Sequence, residues 1–179
     1  QMLINYFQGL LRTQKQILHF PRGQKPTLIS DEWQLWDAQD KDLLPQEHAN
    51  AKVLLPFTWW RSHFHSNYQD SKVLAKAKAG QIGVWFTADE DILKHADLIT
   101  QGKQYWPLVA AHFRLFRDGR SFSTAALLRE RFGWEKEIRM IGDVLIDQLL
   151  QGARVGFDSF ALRPDQKTDV ALKQFDLFS

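Results

Sequence analysis

The chain has 179 residues, of which 44% are hydrophobic and 25% charged, a balance typical of one globular domain rather than a disordered chain. Its formal net charge is only +2, which gives no reason to expect a nucleic-acid partner. The absence of cysteine excludes disulfides, thiolate nucleophiles, iron–sulfur clusters and cysteine-bound zinc.

The amino-terminal segment has apolar residues at roughly helical spacing, which predicts a short amphipathic helix over residues 2–20. Asn5, Gln8 and Arg12 interrupt any signal-peptide core, and no apolar run approaches the roughly 18 residues of a transmembrane helix. We therefore expect a cytoplasmic protein that does not bind a membrane. Residues 1–25 are interpreted as an extension that could be helical, and residues 26–179 as a single α/β domain.

The segment TLISDEWQLW, residues 27–36, follows a break marked by two prolines. Its apolar and polar residues alternate around a Ser-Asp-Glu turn, which predicts a small hairpin. With the preceding helix, this hairpin would form a small cap at the amino-terminal end of the domain. The polar residues 37–51 are predicted to be mostly loop.

From residue 52 onward, short apolar runs alternate with segments of helical composition. The runs are residues 52–57, 82–87, 107–113, 137–143 and 158–162. This alternation is typical of βα units in a parallel sheet, whose strands are buried on both faces. The sequence therefore predicts an α/β fold with a mostly parallel sheet of about five strands, arranged as an open sheet or a half-barrel.

The connection after the third run is the strongest candidate for a ligand site, because ligands of such folds bind beyond the carboxyl ends of the strands. An Asp-Gly pair supplies a turn, and either of two serines could cap the next helix. The free amides of residues 121–124, the helix dipole and Arg120 would favour a small anion resembling phosphate, sulfate or sulfite. The alternative is a helix start that is merely well capped. The candidate ligands are Asp118, Gly119, Arg120, Ser121, Ser123, Thr124 and Arg139.

The fourth connection adds two carboxylates, Asp143 and Asp147, as catalytic candidates. If Asp143 is already helical, their spacing places both on one helix face, where they could transfer protons or orient arginines. The alternative is a helix cap followed by a surface residue. Arg139 lies within an apolar run and needs a partner, for which Asp118, Asp143 and Asp147 are the candidates, so a structural salt bridge competes with a ligand contact.

Other residues give weaker indications. His112 could line the site from the third strand, while Trp59 and Trp60 could be core residues or a stacking platform. His63 and His65 lie two apart, a poor spacing for a metal pair on a helix, so no metal site is expected. No phosphate-binding P-loop or dinucleotide fingerprint is present.

Three segments carry a family resemblance: FRDGRSFSTAALLRERFG at 116–133, EIRMIGDVLIDQL at 137–149 and RVGFDSF at 154–160. Together with residues 26–36 and 80–91, they resemble the bacterial family named domain of unknown function 934 over about residues 26–162. The ordered series D-G-R-x-x-S-x-A-x-x-L-R, then R-x-x-G-D-V-x-x-D-Q, is the most specific part. The matching motif residues are Asp118, Gly119, Arg120, Ser123, Arg129, Arg139, Gly142, Asp143, Asp147 and Gln148.

The resemblance implies a context rather than a mechanism, since members are typically encoded beside sulfite reductase and labelled as oxidoreductases of sulfite reduction. We therefore expect a protein of assimilatory sulfate or sulfite reduction that binds a small anion at the ends of strands three and four. The alternative is a non-catalytic module that docks onto sulfite reductase or its electron donor through exposed tryptophans. No electron carrier is visible in the sequence, so an oxidoreductase would need a bound flavin or an external donor. The cofactor and any homo-oligomer are left open, and Val155 stands where family members often have cysteine.

Overall fold

The computed structural model describes residues 15–37, 50–64, 71–115 and 118–178. Within these residues one eight-stranded sheet is accompanied by six α-helices, none of which combines the length and apolar character needed to cross a membrane. The strands are β1 Gln16–His19, β2 Thr27–Ser30, β3 Trp33–Leu35, β4 Lys52–Pro56, β5 Ile82–Phe86, β6 Leu108–Phe113, β7 Glu137–Gly142 and β8 Ser159–Phe160. The helices are α1 Phe57–His63, α2 Ser71–Lys78, α3 Ala96–Tyr105, α4 Asp118–Glu130, α5 Leu149–Val155 and α6 Thr168–Phe178, with 3-10 turns at Ile92–His95 and Ile146–Gln148.

The sheet is mostly parallel, as predicted, but the expected number of five strands is wrong. Strands β3 to β8 pair in parallel and in chain order, and β1 pairs antiparallel with both β8 and β2. The five apolar runs correspond to β4–β8, where nearly every residue is buried. The three additional strands are short, and β2 and β3 are half-buried or exposed, so they lack the apolar runs that reveal the others.

The structure corrects both predictions for the amino-terminal segment. Residues 16–19 form the strand β1 instead of the end of the helix predicted over residues 2–20, whose first part, residues 2–14, lies outside the described residues, and β1 lies between β2 and β8 within the sheet. Strands β2 and β3 do not pair as a hairpin, since they occupy the opposite edges of the sheet. A two-residue connection resembles a hairpin turn locally, but strand pairing is decided by distant partners.

The position of β2 and β3 requires the sheet to curl. Only Asp31 and Glu32 separate the two strands, and three Cα–Cα steps span at most about 11 Å. The two edges of the sheet must therefore approach each other at this connection. The sheet forms a curled half-barrel, one of the two architectures that the sequence left open.

The half-barrel has an outer and an inner face. Right-handed connections between consecutive parallel strands place the helices on one side, so the outer face carries the large core shared by sheet and helices. The inner face carries a second cluster formed only by residues of the strands and their ends. Its buried members are Ile17, Leu54, Trp85, Leu108, Ala110, Ile141 and Ala161, with Ile29 and Trp33 packed against them.

Candidate functional site

The connection from β6 to α4 lies at the carboxyl end of the parallel strands. Helix α4 begins at Asp118, before both of the serines that were candidate caps. Ser121 is therefore inside the first turn and is not the cap. Its buried hydroxyl donates a 2.8 Å hydrogen bond to the carbonyl oxygen of His112, which fastens the helix to the end of β6.

The hydroxyls of Ser123 and Thr124 also have structural roles. They donate hydrogen bonds to the carbonyl oxygens of Gly119 and Arg120, one turn earlier, at 3.2 and 3.1 Å. Because the helix starts at Asp118, the N–H groups of residues 118–120 have no acceptor within the helix. The prediction that the amides of residues 121–124 are free is therefore wrong, and the available donors lie one turn earlier.

A pocket of about 350 Å³ opens at the start of α4, lined by Ala88, Asp89, Gly119 and Arg120. The pocket lies between the connection that follows β5 and the connection that follows β6. The Arg120 guanidinium is 75% exposed and lies 3.7 Å from the Asp89 carboxylate, which is 64% exposed. Such a solvated pair is weak, so the guanidinium is available to another anion.

The structure separates the two predicted catalytic carboxylates. Asp143 follows β7 at a bend; its carboxylate accepts a 3.2 Å hydrogen bond from the Leu115 N–H, and its own N–H donates to the Phe113 carbonyl at 2.9 Å. The next helical turn starts only at Ile146, and Asp147 is exposed on it. The condition for a shared helix face is not met, and Asp143 instead ties the β6 connection to the β7 connection.

Arg139 belongs to a different part of the molecule. Its side chain is only 4% exposed on the inner face, where the guanidinium donates to the Asp31 and Glu137 carboxylates at 3.0 and 2.8 Å and to the Ser159 hydroxyl at 3.1 Å. The partners proposed from the sequence were different. At 3.3 Å per residue, Asp143 lies about 13 Å further toward the carboxyl end of β7. Arg139 and its partners therefore lie toward the amino end of the strands. There Arg139 lines a second pocket of about 310 Å³ with Ile29, Ser30, Glu32, Trp33 and Glu137.

The sequence indicated only some of the charged residues that lie at the carboxyl end of the inner face. His112 alternates with the outer-core residues Ala111 and Phe113 and therefore faces inward, 5.6 Å from the Trp85 ring. We call the group formed by His112, Arg114 and Asp143 at this end of the sheet the mouth. Period-two alternation along β6 could have placed His112 and Arg114 on this face, but the contribution of the neighbouring connections could not be read from the sequence.

The electrostatics of the mouth favour a neutral imidazole. Burial lowers the pKa of His112 below its usual range, and the Arg114 guanidinium lowers it further, whereas Asp143 and Asp37 act in the opposite direction. At the same end, the Arg163 guanidinium holds Asp165 through hydrogen bonds of 2.6 and 2.7 Å. This contact, with a smaller contribution from Asp143, raises the pKa of Arg163.

The fold and the site define the class of the protein: an α/β half-barrel whose polar carboxyl edge carries a pocket and the charged mouth. A family model described as "Bacterial protein of unknown function (DUF934)" matches residues 83–179, which is more than half of the chain. The chain belongs to this family. No curated protein and no solved structure matches the chain.

Proposed function

We propose that the protein binds a small oxyanion of the sulfite, sulfate or phosphate type beyond the carboxyl end of β6, where the connections after β5 and β6 meet, and that it acts in the reduction of sulfite. The observation that carries the proposal is the 350 Å³ pocket in which Arg120 and Gly119 meet at the start of the 13-residue helix α4. The metabolic context comes from the family resemblance.

The physical basis of binding is the combination of a helix start and an exposed cation. Unbonded N–H groups and the positive end of the helix dipole favour an anion at this position. The exposed Arg120 side chain can exchange its loose contact with Asp89 for two charge-assisted hydrogen bonds to an oxyanion. The serine and threonine hydroxyls take no part, because they already donate to backbone carbonyls.

We infer an accessory role in sulfite reduction rather than self-sufficient electron transfer. The sequence contains no cysteine and no nucleotide-binding motif, so electrons would come from an external donor or a bound flavin. Docking through exposed tryptophans loses its support. All seven tryptophans lie in the described residues, and none of them is exposed; Trp59 and Trp60 are 1% and 0% exposed in the outer core.

Replacing Arg120 with alanine should weaken binding of sulfite and sulfate at least about fivefold, because a charge-assisted contact is lost from an otherwise intact helix start. Isothermal titration calorimetry with sulfite, sulfate and phosphate measures the effect. Arg131→Ala is the matched control, since this exposed arginine lies just beyond the opposite end of α4. Equal affinities in the two variants, or no binding by the unmodified protein, would contradict the proposal.

A further inference from the structure

The mouth contains two polar side chains that no other described residue satisfies. Within the described residues, the His112 ring accepts and donates no hydrogen bond and the Arg114 guanidinium forms no ion pair. Elsewhere, His95 contacts Arg61 and Glu90, and the buried Arg139 uses three of its nitrogens. The groups at the mouth thus remain available to a ligand.

The backbone also makes room for the imidazole. Gly142 has φ +91°, and a Cβ at this position would lie 2.5 Å from the Phe113 carbonyl oxygen and 3.0 Å from the His112 ring atoms Cε1 and Nε2. Any side chain here would be strained and would press on the ring. Gly142 therefore lets the imidazole lie at the end of β7, beside the connection that holds Asp143.

The arrangement is suited to proton exchange. The groups that act on the His112 imidazole are Arg114 beyond its own strand, Asp143 after β7 and Asp37 after β3, with the Trp85 ring on β5 beside it. Burial and Arg114 keep the pKa of His112 low in the absence of a ligand. An anion placed between the imidazole and Arg114 would add negative charge next to the ring and reverse that effect.

We propose that the mouth is a second oxyanion site, in which Arg114 holds the anion and His112 exchanges a proton with it. With a singly charged protonated anion such as bisulfite or dihydrogenphosphate, the anion's O–H bond breaks and an N–H bond forms on the imidazole. The doubly charged anion is then held between the imidazolium and the guanidinium, and no electrons move. This site lies on the inner face. The Arg120 pocket is lined instead by the connections that follow β5 and β6, so the inference goes beyond the proposed function.

Sulfate is the appropriate probe, because it does not titrate near neutral pH and any proton taken up on binding must enter the protein. Calorimetric titrations at pH 7 in two buffers with different ionisation enthalpies measure this uptake. The unmodified protein should take up part of a proton and bind sulfate at least about fivefold more tightly at pH 6 than at pH 8. His112→Gln should abolish the uptake and the pH dependence.

His19→Gln is the matched control, since this half-buried histidine lies on β1, close to Asp158 beyond the amino end of β8, and should keep the uptake. Arg114→Gln, at an exposed position, should also remove the proton-linked binding. This variant provides the test if His112→Gln changes the circular dichroism spectrum.

Sulfate binding without proton uptake, uptake that survives in His112→Gln, or no binding at all would overturn the proposal. Loss of affinity in Arg120→Ala with unchanged uptake would support both sites, whereas proton-linked binding unaffected by Arg120→Ala would support the mouth alone.

Discussion

Replacing Arg139 with methionine is expected to lower the free energy of unfolding by about 3–5 kcal/mol, the cost of breaking a buried ion pair from one side. The side chain is 4% exposed and Asp31 is 11% exposed, so water cannot replace the lost donor. Glu137 loses the same guanidinium but keeps the 2.7 Å hydrogen bond from Ser159. Methionine preserves most of the volume, which isolates the charge from a packing defect.

Urea unfolding followed by tryptophan fluorescence measures the effect. Lys52→Met is the matched control: this lysine pairs with Glu32 at the rim of the same pocket, but the pair is solvent-exposed and should contribute less than about 1 kcal/mol. Adding Asp31→Asn and Glu137→Gln to Arg139→Met should restore part of the stability, because it removes the uncompensated carboxylates. A loss as small as that of the control would show that Arg139 does not fasten the half-barrel.

The Arg139 network also explains why residues outside the matched family region matter for the fold. Asp31 is 108 positions away from Arg139 in the chain and lies in the connection between the two edge strands. In a flat sheet, the three steps from β7 to β2 would cover about 14 Å at 4.8 Å per strand. The contact forms because the sheet curls, and it fixes the connection where the two edges meet.

The sequence allowed five of the six parallel strands, β4–β8, to be predicted for a physical reason that the other strands lack. Strands buried on both faces need continuous apolar runs, and β4–β8 have them. Strand β1 has only two fully buried residues, and its partner β8 lies about 140 positions later, so local pattern could not place it. The segment from β2 to β3 has the alternation of a hairpin, yet its pairing is decided by the curl.

For the candidate site, the sequence located the connections but not the bonding within them. The rule that ligands bind at carboxyl ends selected the start of α4, where a pocket does occur. A serine near a helix start is a common cap, but Ser121 instead donates to the end of β6, which only the packing of α4 on the sheet decides. Likewise, a charge within an apolar run requires a partner, although its identity depends on the whole fold.

Arg129, another residue of the family motif, is expected to be the second large contributor to stability. Its guanidinium donates to the carbonyl oxygens of Gly156, Trp134 and Lys136 at 2.7–3.1 Å and to the Asp158 carboxylate at 3.3 Å. These bonds connect α4 with the turns before β7 and β8. A lysine ammonium cannot reach all of these acceptors, since it lacks the planar fork.

Arg129→Lys should therefore lower the free energy of unfolding by about 2–4 kcal/mol, because several half-buried acceptors lose their donor. Arg131→Lys, at an exposed position two residues later, is the matched control and should change stability by less than about 0.5 kcal/mol. Urea unfolding gives both values, and hydrogen exchange should show loss of protection at the Ile138 N–H, which donates to Asp158 at 2.8 Å. Indistinguishable unfolding curves for the two variants would contradict this role of Arg129.

The pH dependence of an alanine variant provides a separate test of the contact with Asp158. Burial raises the pKa of this carboxyl above its ordinary value, while the Ile138 N–H and the Arg129 guanidinium pull the pKa down. Removing the guanidinium should raise the pKa further, and a raised carboxyl pKa means that the folded state holds its proton more tightly than the unfolded state. Stability is then lost as the pH rises through the folded-state pKa. Arg129→Ala should consequently be more destabilised relative to the unmodified protein at pH 7 than at pH 4.5, and an equal difference at both pH values would show that Asp158 does not depend on Arg129.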